Sequence, residues 1–220
     1  MISQSALNKA VAEFQTREGR AKFFLMAEHL IAEGFEVEAC ILLLATWNTA
    51  RFRIVVTRFD VDEFRRTLIQ LGKHFGALRK QSIESIDLSK YGARIKTIFG
   101  ALSKIKGVEF TGATKVMHLK NPKLFIMWDT YIRGAATKRY YDQLPIAQSG
   151  EWSHVKYGTS AEEYLRFVED VKGRFGHLNP PSDTKSLAKA IDEFNYVNIT
   201  LPIQEMKDRD QKSRPRNRRK

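Results

Sequence analysis

Between Val37 and Trp47 the chain reads VEACILLLATW, an apolar run interrupted only by Glu38 near its start and Thr46 near its end. It is too continuous for a surface helix and too long for an ordinary strand, so it predicts a buried central helix from about Glu36 to Trp47. Such a helix needs other helices around it, and the flanking sequence supplies them. Leu7, Val11 and Phe14 recur at helical spacing between Ser5 and Glu18, and a second helix follows from Gly19 to about Ala32, closed by Gly34. Asp60 with Glu63 has the form of a capping box opening a helix through Phe64, Leu68, Leu71 and Phe75. Another stripe, Ile95, Ile98, Phe99 and Leu102, marks a helix from about Lys90 to Lys104. Thr159 with Glu162 reads as a second capping box, before AEEYLRFVEDVKGRF, and a last helix runs from about Ser182 to Tyr196. Strand patterns are few, and RFRIVVTRF from Arg51 to Phe59 reads either as a short strand or as helix continued around a bend. The fold class is therefore mainly α, with roughly eight to ten helices in one domain over residues 1–206, in which helices within 1–50 pack against the one at 182–197.

The charge narrows the partners. A net charge of +12 points to a polyanion. Half of it sits in the tail Lys207 to Lys220, which carries eight Lys and Arg against two Asp and no apolar residue, the composition of a disordered arm for phosphate backbones or of a solubility tail. A single cysteine, Cys40, lies inside the apolar run, so no internal disulfide, cysteine zinc site or iron–sulfur cluster can form. The five histidines lack ligand spacing, and neither a metal nor a cofactor is expected. No secretory leader and no membrane-length apolar run is evident, so the chain reads as cytoplasmic, nucleoid-associated in a prokaryote, without a membrane partner and monomeric.

Candidate chemistry concentrates in GATKVMHLKNPKLFIMWDTYIR, Gly112 to Arg133, where a glycine-led helix hands over through Asn121-Pro122 to Asp129 at the mouth of a further helix. Asp129 reads either as a catalytic carboxylate or as an N-cap, two compatible roles. Lys115 reads as a phosphate contact, as an amine nucleophile, or as one exposed lysine on an amphipathic helix. Backbone amides of Gly107, Gly112 and Ala113 suit an anion, or the glycines serve only the turn. His118 reads best as a core histidine. Trp47 and Asn48 suit stacking on an extruded base, with Trp47 alternatively a core plug. Lys138, Arg139, Tyr140 and Tyr141 form a basic-aromatic group suited to single strands, or a surface loop.

The segments IKGVEFTGATKVMHL and MWDTYIR resemble the hairpin and the catalytic-aspartate motif of the helix-hairpin-helix DNA glycosylases, over roughly Lys90 to Arg133. The likeness rests on the Asp129-Thr130 pair, the preceding LFIMW and the helix GATKVMHL, and more loosely ILLLATWNT is similar to that family's early buried helix. The resemblance implies two helical lobes with a cleft, a duplex-DNA partner, and Asp129 with Lys115 at the chemistry. It also implies backbone contacts from Gly107, Gly112, Ala113, Thr114, Lys115 and Arg133, with Trp47 and Asn48 near the base. Strand-cleaving members carry a lysine at the start of the hairpin's second helix, where this chain has Thr111 or Gly112. The expected activity is therefore monofunctional base excision from damaged or mismatched DNA, and the alternative is a non-catalytic nucleic-acid-binding protein on the same fold.

Overall fold

The structure is a computed structural model and describes residues 2–19, 21–47, 57–182 and 186–213. Among these residues it is mainly helical, with no strand. In chain order the helices are α1 (Gln4–Arg17), α2 (Ala21–Ala32), α3 (Glu36–Trp47), α4 (Val61–Leu78), α5 (Leu88–Ser103), α6 (Glu109–Lys120), α7 (Lys138–Asp142), α8 (Pro145–Gln148), α9 (Ala161–Phe175), α10 (Leu187–Asn195) and α11 (Leu201–Lys212). A π-helical turn, Tyr196–Thr200, joins α10 to α11 without a break.

Side-chain caps account for five of the helix starts. Asp60 Oδ1 accepts from the amides of Asp62 and Glu63 at 2.9 Å each, as the capping pattern predicts. Asp87 does the same for α5, which begins slightly earlier than its apolar stripe suggested. At α9 the cap is Ser160 rather than Thr159: its Oγ accepts from Glu163 N–H at 3.2 Å, and Glu163 Oε2 reaches back to Gly158 N–H at 2.7 Å. The expected reciprocal box is therefore replaced by a Ser160 cap, which takes the extended conformation that a cap requires, and a carboxylate that serves the amide two residues before that cap.

Two expectations are corrected. The helix enclosed on all sides is α6, every residue of which from Gly112 to Leu119 is buried, whereas α3 is covered on one face and leaves Ile41 and Leu42 half-buried. Helix α6 packs against α2, α3 and α5. Nor does the last helix stop at Tyr196: it continues to Lys212, so the first six of the fourteen residues of the basic tail are folded. Its residues Glu205 and Asp210 bind Arg17, at 2.6 Å, and Arg139. The strand-or-helix segment Arg51 to Val56 lies outside the described residues, as does Arg214 to Lys220.

Helix α1 packs on α10, α4 and α9 both pack on α5, and Asn121 ties the α6 exit to the end of α4 by donating to Leu78 O at 2.8 Å and Gln81 O at 3.2 Å. Cys40 is fully buried, and desolvation pushes its thiol up to about 12, so it is an inert core residue.

Gly112 sets how closely α6 meets α3. A Cβ there would lie 2.8 Å from Leu44 Cδ2 and 3.2 Å from Val108 Cγ1, whereas one on Gly100 would meet nothing within 4 Å. Gly112→Ala is expected to destabilise the fold by about 1–3 kcal/mol through overpacking. Gly100→Ala, in the last turn of α5, should stabilise it by up to about 0.5–1 kcal/mol, and urea denaturation of both variants reads the contrast.

Candidate functional site

Asp129 stands at the end of a short segment whose backbone is pinned from three directions. Ile126 O accepts from Tyr164 Oη of α9 at 2.9 Å, Met127 N–H donates to Asp192 Oδ1 of α10 at 2.7 Å, and Trp128 N–H donates to Thr114 Oγ1 of α6 at 3.2 Å. The fully buried Trp128 ring packs against Phe99, Tyr164, Phe167 and Tyr157. The carboxylate that follows has little freedom of placement.

What Asp129 opens is a single turn and not a helix. Its Oδ1 accepts from Tyr131 and Ile132 N–H at 2.7 and 2.8 Å, and its carbonyl accepts from Arg133 N–H at 3.1 Å. Gly134, at φ +78°, then ends the turn where a Cβ would sit 2.2 Å from Val155 O. The second carboxylate oxygen, Oδ2, accepts from Thr200 Oγ1 at 2.8 Å.

Asp129 lines a cleft of about 350 Å³ between the α5–α6 turn, the 127–132 segment, the C-terminal end of α3 and the α10–α11 helix. Trp47, Phe110, Tyr131 and Tyr196 give it aromatic walls, and Lys115, Asp192, Gln204 and Lys207 add polar ones. Lys115 and Asp129, placed together by the resemblance, thus face one space. Lys115 is not an exposed lysine. It is 6% exposed, and its ammonium donates to Trp47 O in the last turn of α3, where the helix dipole favours a cation.

The other sequence candidates separate. Gly107 takes φ +90° in the five-residue turn between α5 and α6, a conformation suited to glycine, and Lys104 and Lys106 beside it are exposed. Gly112 lies one turn inside α6, its N–H donating to Val108 O at 3.0 Å, so its amide is spent in the helix and offers nothing to an anion. Ala113 and Thr114 are wholly buried, and the Thr114 hydroxyl is used on Thr111 O and Trp128. These three are core residues in this fold. Arg133 donates to Tyr157 O at 3.1 Å and stacks behind the Phe110 ring, supporting the cleft wall from outside. Trp47 is half-buried on the cleft, and Asn48 lies outside the described residues. Tyr140 and Tyr141 are buried too: Tyr140 Oη and Arg139 bind Asp210, and Tyr141 Oη donates to Tyr131 O at 2.8 Å, so this group braces α11 and the Asp129 turn instead of presenting an aromatic surface.

His118 is a core histidine, as expected. Its Nδ1 lies 2.7 Å from Phe125 O and 2.9 Å from Asp192 Oδ2, so with oxygens on both sides that nitrogen carries the proton. Asp192, 5% exposed, therefore links the core histidine to the cleft floor. Sequence reasoning missed Asp192, Tyr196, Thr200, Gln204 and Lys207. Their four- and three-residue spacing was the available signal, and it runs past Tyr196, where the expected helix ended. No cluster of three or more His, Cys, Asp or Glu side chains with metal-holding geometry occurs among the described residues.

Comparison with protein-family models, with curated proteins and with solved structures finds no match to this chain.

Behind the cleft, Lys189 Nζ lies about 5 Å from the rings of Phe14 and Phe24, 5.5 Å from that of Trp47, and 3.2 Å from Glu193 Oε1. Burial raises the Glu193 carboxyl above its ordinary value of 4.5, with Lys189 opposing. The folded state then holds that proton more tightly than the unfolded chain, so stability falls as pH rises from 4.5 through the folded value. Glu193→Gln is expected to flatten that part of the stability–pH curve, read by urea denaturation at a series of pH values.

Proposed function

We propose that the cleft excises a base from DNA by cleaving its N-glycosidic bond, with Asp129 as the catalytic carboxylate. The observation that carries the reading is the meeting of a fixed carboxylate and aromatic walls in one cleft beside a basic hairpin. Breaking the bond builds positive charge on the sugar, and a fixed, half-buried carboxylate stabilises that charge and orients the attacking water. A cleft of about 350 Å³ is at the small end of ligand sites, and its aromatic walls suit a flat ring turned out of the duplex. The exposed Lys104 and Lys106 flank the Gly107 turn and suit phosphate contact. The glycosylase-type arrangement of two lobes belongs to this same proposal.

Lys115 enters as the residue that decides between base release and strand cleavage. In the monofunctional reading its amine stays on Trp47 O, and water is the nucleophile. Borohydride added during turnover is expected to trap no protein–DNA adduct. An adduct lost in Lys115→Arg would assign the lysine an imine-forming role instead.

The decisive assay is a panel of duplexes carrying uracil, oxidised guanine, alkylated purine or mismatches, read for abasic sites. Excision of at least one base is expected, with Asp129→Asn slowing it about a hundredfold or more. No excision on any duplex, or an unaffected Asp129→Asn, refutes the assignment.

One observation favours a second reading, a non-catalytic DNA-binding protein: both Asp129 oxygens already accept hydrogen bonds that a structural cap would make. That reading predicts lesion-independent binding, with Asp129→Ala costing about 1 kcal/mol of stability and leaving affinity unchanged.

Both readings use the C-terminal arm. Arg214 to Lys220 holds five cations and follows α11, whose Lys207 lies at the cleft. Removing residues 214–220 is expected to lower the slope of log K against log salt by up to about 4–5 on duplex DNA, measured by fluorescence anisotropy.

A further inference from the structure

The cleft's remaining wall is the helix that runs through the π turn. Asp192, Tyr196, Thr200 and Gln204 succeed one another at four-residue intervals, and all four line the cleft. In an uninterrupted α-helix each such step drifts by about 40°, so Asp192 and Gln204 would point about 120° apart. The π turn takes in one extra residue, which returns about 100° of that drift and brings the four side chains onto one face. Pro202 is a local reason for it. Having no N–H, and with a ring that crowds the carbonyl four residues earlier, it disfavours a regular turn there, and Leu201 N–H donates instead to Tyr196 O.

The turn delivers Thr200 to Asp129. Thr200 is 2% exposed and its hydroxyl donates to Oδ2 at 2.8 Å. Oδ1 is already occupied by two backbone amides, so Oδ2 is the oxygen with capacity left for chemistry. We propose that Thr200 is the positioning residue for Asp129: its hydroxyl sets the plane of the carboxylate and so the direction of Oδ2. This rests on the glycosylase reading above and adds to it a requirement for the C-terminal helix. That helix is itself tied down, by Glu205 to Arg17 at 2.6 Å, by Asp210 to Tyr140 Oη at 2.7 Å, and by the fully buried Ile203.

The test uses the full chain and a duplex from which the wild type excises a base. Thr200→Val keeps the side-chain shape and removes the hydroxyl. It is expected to lower kcat about ten- to a hundredfold with KM within about twofold, the loss of one hydrogen bond to a charged group expressed as rate. Thr200→Ser, which restores the hydroxyl, should recover most of the rate. Thermal unfolding identifies any variant that fails to fold. A double-mutant cycle of Thr200→Val with Asp129→Asn on unfolding reads the hydrogen bond without reference to activity. A wild-type kcat in Thr200→Val overturns the inference while leaving Asp129 and the glycosylase reading intact. A Thr200→Ser as slow as Thr200→Val overturns it also, since shape and not the hydroxyl would then matter. A wild type that excises nothing, with Thr200 and Asp129 coupled in stability, overturns the reading and reduces the bond to a structural one.

Discussion

Everything near the cleft depends on how the three residues before Asp129 are held. Tyr164, Asp192 and Thr114 come from α9, α10 and α6, and each satisfies one backbone group of Ile126, Met127 or Trp128. A buried, irregular backbone has no ladder of its own, so each of these bonds answers a group that would otherwise be desolvated and unpaired. The result is a carboxylate placed by side chains from three helices rather than by the regularity of one. That suits electrostatic catalysis, which needs its charge fixed before the reaction begins.

The same logic explains why a helix as mixed in composition as α6 can be the enclosed one. Thr114, Lys115 and His118 would each be costly inside an apolar core, and each has a partner there: Thr114 the Trp128 backbone, Lys115 the Trp47 carbonyl of α3, and His118, through Nδ1, Phe125 O and the Asp192 carboxylate. Helix α6 therefore links α3, the Asp129 segment and α10 through polar contacts, while Gly112 allows it to approach α3 closely enough to make them. Packing and polar matching are one problem here.

The arrangement also reassigns charge. Of the basic and aromatic residues that the sequence offers to a nucleic acid, Arg133, Arg139, Tyr140 and Tyr141 are engaged in bracing the cleft from behind. Among the described residues near the cleft, the cations left facing outward are those of the α5–α6 turn, Lys104 and Lys106, with Lys207 on the cleft itself.

The sequence by itself determined the helical class, the positions of most helices, the hairpin between α5 and α6 and the candidacy of Asp129, because these follow from spacing and capping within a few residues. Asp60 and Asp87 cap through amides two and three residues away, and such contacts are legible locally. Only the tertiary structure decided which helix is enclosed, that Gly112, Ala113 and Thr114 belong to the core, and that Lys115 is buried against Trp47 O. It alone brought Thr200 to the aspartate, 71 residues along the chain. The physical reason is that a polar side chain's role is set by the partner that satisfies it, and here the partners are distant in sequence. Pro202 shows the same dependence: a proline locally disfavours a regular helical turn, but with the surrounding contacts in place the turn before it widens and the helix runs on past the cleft.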